Sequence, residues 1–156
     1  VLVTIIVAAV LASTACARRT DALDRIQANG VVRIAIDPSF PPFEFIDGDG
    51  QIAGFDIDLA RAMAERWGVE AHFVATGYDA LYDALAVDRA DLIISALYPD
   101  PSRQAQVSFS PAYFNAGQVL MVRSEDVETL RGIEDLSGAT VACVFGTEGH
   151  MAALEW

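Results

Sequence analysis

The chain has 156 residues, 53% of them hydrophobic. That is enough for one packed domain, or one domain plus part of a second, and it excludes a disordered chain. The net charge is −12 and all ten basic residues are Arg, so there is no basic face for a phosphate backbone and nucleic acid is excluded as a partner.

Residues Val1 to Ala17 carry no charge, and Val1 to Ala12 are almost all apolar. The segment is too short to span a bilayer and suits the core of a secretory signal. Ala12-Ser13-Thr14-Ala15-Cys16 then resembles a bacterial lipoprotein signal, in which small residues precede a Cys that is lipidated after cleavage. Ser13 stands where a large aliphatic residue is usual, and both a basic start and an initial Met are missing, so the sequence is expected to be incomplete at its front. Residues 1–16 are read as a signal peptide with Cys16 as the lipidation site, which implies export and a membrane anchor. An ordinary cleaved signal with an incidental Cys is the other reading.

Thr20 to Asn29 predicts a short helix with Leu23 and Ile26 inward, stopped at Gly30. Val31 to Ile36 is a β-branched run and predicts a buried strand. Asp37 to Phe43 holds three prolines, which remove donors and fix φ, and predicts an irregular loop. Phe43 to Ile46, the turn Asp47-Gly48-Asp49-Gly50 and Gln51 to Gly54 read as a short hairpin. A helix is expected over Asp56 to Trp67, with Asp56 or a neighbour as its cap, Asp58 in the favourable first turn, and Ile57, Ala60, Ala64 and Trp67 on one face. A strand follows at Val69 to Ala75, a helix at Tyr78 to Asp88 with Leu81, Ala84 and Leu85 inward, and a strand at Asp91 to Ala96. After a loop at 98–103 and a short helix, a long strand is expected over Gln118 to Arg123. A turn of helix near Ile133 to Gly138 precedes a strand at Ala139 to Phe145, with Cys143 read as a buried structural thiol. Gly146-Thr147-Glu148-Gly149 opens a last helix, His150 to Trp156. Neither histidine, His72 or His150, stands in a Cys/His pattern with metal-ligand spacing, and no cofactor is implied.

Strands alternating with helices predict an α/β fold in which ligand gathers at the C-terminal ends of the strands. The loops after Ile36, Ala75 and Ala96 are those ends.

Several stretches in this order resemble the bacterial extracellular solute-binding proteins of the polar amino-acid class, the substrate-binding components of ABC importers. They are Arg33-Ile34-Ala35-Ile36-Asp37 with Phe40-Pro41-Pro42-Phe43-Glu44-Phe45; Gly54-Phe55-Asp56-Ile57-Asp58-Leu59-Ala60; Ala90-Asp91-Leu92-Ile93; Arg103 with Phe109-Ser110 and Tyr113; and Asp135-Leu136-Ser137-Gly138 with Gly146-Thr147. The resemblance implies the type II periplasmic-binding-protein fold, two α/β lobes joined by crossing strands. It divides the chain into lobe one at 17–115 and a crossing strand with an incomplete lobe two at 116–156, so that only part of the ligand's enclosure is expected here.

The resemblance also implies the site. Arg103 would clamp the α-carboxylate of an amino acid, a bidentate, charge-assisted contact worth about 1.5–3 kcal/mol per bond. Phe40 and Tyr78 would lie against the ligand's side chain or ammonium. Asp37 would bind an ammonium group or cap the proline-rich loop; the residues leave both open. Ser95 and the backbone of Ala96 line the same strand end, and Thr147 would offer its hydroxyl and amide at a helix start. Tyr98 stands where a small hydroxyl residue is usual, and Glu148 where Thr or Gly is usual. Asp56 and Asp58 are read as helix-start acids, not a catalytic pair. The implied activity is capture of an amino acid or similar zwitterion by hinge closure and delivery to a permease. Two other functions share such a fold: a periplasmic cyclohexadienyl dehydratase-like enzyme, and the sensing module of a larger receptor or cell-wall enzyme.

Overall fold

The computed structural model describes residues 21–156; the segment read as a signal, with Cys16, lies outside the described residues. The described residues open with helix α1, Ala22–Asn29, which ends at Gly30 and buries Ile26, while Leu23 stays at the surface. Strand β1, Val31–Ile36, follows directly. It is the centre of a parallel sheet in the order β5-β1-β6, with β5 at Glu70–Ala75 and β6 at Leu92–Ile93. Val31 pairs with Glu70 and Ile36 with Ala75 on one side, and Ile34 with Leu92 on the other. A second, antiparallel sheet is small: β2 (Ser39–Phe40), β3 (Glu44–Ile46) and β4 (Ile52–Ala53), with the turn between β3 and β4 held by Asp47 Oδ1 accepting from the amides of Asp49 and Gln51.

Helices cover both faces of the parallel sheet, as a central parallel strand requires. Helix α2, Phe55–Trp67, packs Ile57, Ala60 and Ala64 against Val32, Ile34 and Ile36. On the opposite face Ala35 meets Leu81 and Ala84 of helix α3, Leu81–Ala86. A 3-10 turn at Tyr78–Ala80 precedes α3, so the helix expected over Tyr78 to Asp88 is split and shorter. Trp67, expected on the inner face, is half-buried at the rim of the core.

Strand β1 is pinned to β6 by one ion-pair cluster. Arg33 donates to both carboxylate oxygens of Asp91, at 2.8 and 3.1 Å, and pairs with Asp88 at 3.0 Å. The hydrogen bonds from Arg33 hold the Asp91 carboxyl below its usual range.

Four further expectations need correcting. Helix α2 is not capped by Asp56. Its N-cap is Gly54, and its first amides, those of Phe55 and Asp56, donate to the carbonyls of Pro42 (3.1 Å) and Phe43 (2.9 Å); backbone from the proline-rich loop does the capping, which frees the Asp56 side chain. Gln118 to Arg123 and Ala139 to Phe145 do not form strands. Among the described residues neither pairs with a neighbouring strand, and a strand exists only through its ladder. For the same reason Val119 and Met121 stand more than nine-tenths exposed, and Cys143, read as a buried thiol, is exposed because nothing covers its run. After β6 the regular elements are 3-10 turns at Pro101–Arg103, Ser124–Asp126 and Ile133–Leu136, and helix α4, Glu148–Glu155.

Candidate functional site

Because β5, β1 and β6 are parallel and in register, their C-terminal ends open on one edge. The loops after them bring Asp37, Tyr78 and the Ser95–Tyr98 segment together there. Contacts between these loops are polar. The Asp37 amide donates to Ser95 Oγ (2.9 Å), the Tyr98 amide to the Tyr78 hydroxyl (3.4 Å), and the Tyr82 hydroxyl to the Tyr98 carbonyl (3.4 Å). Burial raises the phenols of Tyr78 and Tyr82 above their ordinary range, so both stay neutral.

Arg103 closes the 3-10 turn Pro101–Arg103, which Asp100 caps by accepting from the Ser102 amide (2.8 Å). Its guanidinium lies over the ring of Tyr82, 5.1 Å from the centroid, with Asp100 Oδ2 4.0 Å from Nε and a long bond of 3.4 Å to Gln106 Oε1. Stacking and a loose ion pair orient the fork while most of its five N–H donors have no protein partner. It borders a cleft of about 360 Å³ with Tyr78, Tyr82, Gln106 and His150, a size that suits a single small molecule.

All eight residues singled out in the sequence border a second, open hollow: Asp37, Phe40, Tyr78, Ser95, Ala96, Tyr98, Arg103 and Thr147. Its volume, about 2920 Å³, is several times that of a small-ligand site. Only Tyr78 and Arg103 also line the smaller cleft. Phe40 is 54% exposed and stacks on Phe43, with ring centroids 5.7 Å apart. Thr147 caps α4: its hydroxyl accepts from the His150 amide (3.3 Å) and donates to the Val144 carbonyl (2.7 Å), and its own amide turns back to the same carbonyl (3.3 Å). Glu148 Oε2 accepts from Gln118 Nε2 at 2.8 Å.

The strand end itself rests on groups the sequence did not reveal. Ser95 is 1% exposed, and its hydroxyl donates to Glu44 Oε1 (2.9 Å) while accepting from Asp37. Both capacities of that hydroxyl are used. Ala96 has φ of 41°, unusual for a residue with a side chain, and its amide donates to Asp56 Oδ2 (2.6 Å) and to the Tyr113 hydroxyl (3.1 Å). Tyr113 donates to the same Asp56 oxygen at 3.0 Å. Glu44 and Asp56 are 1% and 0% exposed. The only hint in the sequence is a Glu set inside the aromatic run Phe43-Glu44-Phe45.

Residues 32–137 match the bacterial extracellular solute-binding proteins, family 3. The chain belongs to that family. A probable amino-acid ABC transporter-binding protein of Haemophilus influenzae is 32% identical over 115 residues, 74% of this chain and 44% of the relative. The structure of an ancestral amino acid-binding protein, a precursor of cyclohexadienyl dehydratase, superposes with a TM-score of 0.80 at 37% identity, covering 86% of this chain and 60% of that one. The arginine-bound form of domain 1 of an arginine-binding protein from T. maritima gives a TM-score of 0.59 at 38% identity, covering 67% of this chain and 89% of that domain. The chain spans about half the length of the curated relatives it matches. The fold expected from the resemblance, an α/β lobe of the two-lobed periplasmic binding proteins, is the one observed. Family 3 proteins are extracellular by description.

Proposed function

We propose that this chain captures an amino acid, or a similar small zwitterion, as the substrate-binding component of an ABC importer. One observation carries the reading. At the C-terminal edge of the parallel sheet, Arg103 presents a guanidinium that is stacked and oriented but largely without hydrogen-bond partners, beside a cleft sized for one small molecule. A planar fork with free donors is suited to a carboxylate, the group every free amino acid carries. The relatives that bind amino acids support the class, and the arginine-bound single domain supports a first lobe that holds ligand by itself. In this reading Asp37, Phe40, Tyr78, Tyr98 and the Ser95–Ala96 backbone face the ligand. Residues 17–115 form lobe one, and 116–156 the crossing segment and the start of lobe two. Hinge closure and handover to a permease follow from the family. The chain is read as non-catalytic: its two strongly buried acids, Glu44 and Asp56, face each other, and prephenate turnover is expected to be nil. Lipidation of Cys16 completes the proposal and is read directly by mass spectrometry of the mature N-terminus.

Isothermal titration with arginine and a panel of other amino acids tests the function. Arg103→Ala is expected to abolish heat of binding while leaving the circular dichroism spectrum unchanged and the unfolding free energy within about 0.5 kcal/mol of wild type, as befits a surface position. Unchanged affinity in that variant refutes the clamp.

A further inference from the structure

The carboxyls of Glu44 and Asp56 present an unusual problem of hydrogen bonding. Glu44 Oε1 accepts from Ser95, and Asp56 Oδ2 accepts from the Ala96 amide and the Tyr113 hydroxyl. The other oxygen of each, Glu44 Oε2 and Asp56 Oδ1, is fully buried and receives no donor from any other group. Among the described residues neither acid is in an ion pair. The titratable groups that face Glu44 are Asp56 at the start of α2, Asp37 after β1, Tyr78 after β5, and Tyr113, and none of them is a cation. Two ionised carboxylates placed so would repel each other and leave two buried oxygens unsatisfied, an arrangement folded proteins avoid. A single proton resolves both defects. If Glu44 Oε2 carries it and donates to Asp56 Oδ1, each orphan oxygen gains its partner.

The surroundings decide which acid holds the proton. Asp56 accepts from a backbone amide and a phenol, and it sits in the first turn of a 13-residue helix, where negative charge is favoured. Glu44 has one hydroxyl donor and no helix end. Burial, and then the hydrogen bond and charge of Asp56, push the Glu44 carboxyl up to about 9.

We propose that Glu44 is a positioning residue: it keeps a proton at neutral pH, donates it in a hydrogen bond to Asp56, and through that pair fixes the Ser95–Ala96 backbone at the head of the ligand loop. The pair grips that segment at two points, the Ser95 side chain at Oγ through Glu44 and the Ala96 backbone amide through Asp56. It also ties in Tyr113, beyond the ligand loop in the chain. Ala96, held at a φ that residues with side chains rarely adopt, is kept there by the Asp56 oxygen. That this loop faces ligand rests on the functional reading above; the shared proton does not.

Infrared difference spectroscopy on the whole chain tests the proposal without any ligand. A carbonyl-stretch band of a protonated carboxylic acid is expected at pH 7, absent from Glu44→Gln and lost from wild type as pH rises through about 9. The NMR resonance of the Ala96 amide should move along that same titration. In Asp56→Asn the acceptor charge is gone, and the midpoint should fall by at least one pH unit, a tenfold change in proton affinity. Glu44→Gln keeps the shape and replaces the O–H donor with N–H. Its folding constant should therefore lack the tenfold fall per pH unit that wild type shows between the ordinary glutamate value near ~4.3 and about 9. No acid band at pH 7, a band that survives in Glu44→Gln, or an Ala96 amide that stays still while the band titrates would each overturn the proposal. The wild-type titration alone suffices if a variant does not fold. Failure of wild type to bind any amino acid would sink the functional reading and leave these spectroscopic outcomes unchanged.

Discussion

Gly54→Ala should unfold this domain more than any other glycine-to-alanine change at a helix end. Gly54 has φ of 127° and ψ of 176°, a region closed to residues with side chains. A Cβ there would overlap the Phe43 carbonyl oxygen and lie 2.6 Å from its carbon and 2.9 Å from the Pro42 carbonyl oxygen. Those carbonyls are the acceptors for the first two amides of α2. Conformational strain contributes about 1–3 kcal/mol, and disturbing two capping bonds adds about 0.5–1.5 kcal/mol each, so the expected loss is about 2–6 kcal/mol. Against a typical stability of ~5–15 kcal/mol, this leaves a small domain marginal. Gly68→Ala is the control. Gly68 also has positive φ, 71°, but nothing lies within 4 Å of a Cβ there, so the backbone penalty alone applies, about 1–2 kcal/mol. Urea unfolding of wild type and both variants, fitted with a common slope, reads the difference. Equal losses in the two variants would refute the close-approach argument and leave only the φ effect.

Two further perturbations probe the polar supports. Arg33→Met should cost about 2–3 kcal/mol at pH 7, less than a fully buried pair because Arg33 is one-third exposed. The Asp91 carboxyl is held low by Arg33, so this stability is full above the unfolded value near ~3.9 and is lost as pH falls through the folded one; the gap between wild type and variant should shrink in an unfolding series below pH 4, and a gap unchanged at pH 3 contradicts the account. Ser95→Ala strips partners from the Asp37 amide and Glu44 Oε1 and should cost about 2–4 kcal/mol in thermal unfolding; a loss under about 0.5 kcal/mol would contradict the bridging role drawn from its two 2.9 Å bonds.

Much of the fold was legible because local pattern and tertiary role agree. Val31 to Ile36 reads as a doubly buried strand and is one; the Ile57, Ala60, Ala64 stripe reads as an inner helix face and is buried. The loops after β1, β5 and β6 followed from the α/β alternation. The supports of the site were not legible, because period and composition say nothing about partners far apart in sequence. Glu44 lies between two phenylalanines on a three-residue strand, and no alternation marks it as the buried member; Phe45 is only half-buried and Ile46 is 51% exposed. Its partner Ser95 is 51 residues away. Asp56 reads as helix-start chemistry, and the dipole argument is sound, yet the cap comes from loop carbonyls that no cap rule identifies. Gln118 to Arg123 and Ala139 to Phe145 carry strand composition, but composition supplies no neighbour, and without a ladder neither forms.

The two halves of the candidate site are held by different forces. The strand end at Ser95–Ala96 is fixed from beneath by three hydrogen bonds of 2.6–3.1 Å to groups from three distant segments, around Glu44, Asp56 and Tyr113, and a bond of 3.0 Å ties Tyr113 to Asp56. Arg103 is held by one ring face, a 4.0 Å ion pair and a 3.4 Å hydrogen bond, all from within its own neighbourhood. The first arrangement resists displacement, since moving any member leaves a buried polar group without its partner; the second costs little to rearrange, since each contact is long and partly solvated. If the site takes an amino acid as proposed, a guanidinium on a compliant mount beside a rigid backbone ledge follows the carboxylate as ligand settles, while the ledge sets where the rest of the ligand lies. On the proposed function, selectivity belongs to the ledge and the residues that fix it, Glu44 and Asp56 among them, whereas Arg103 supplies attraction common to every amino acid.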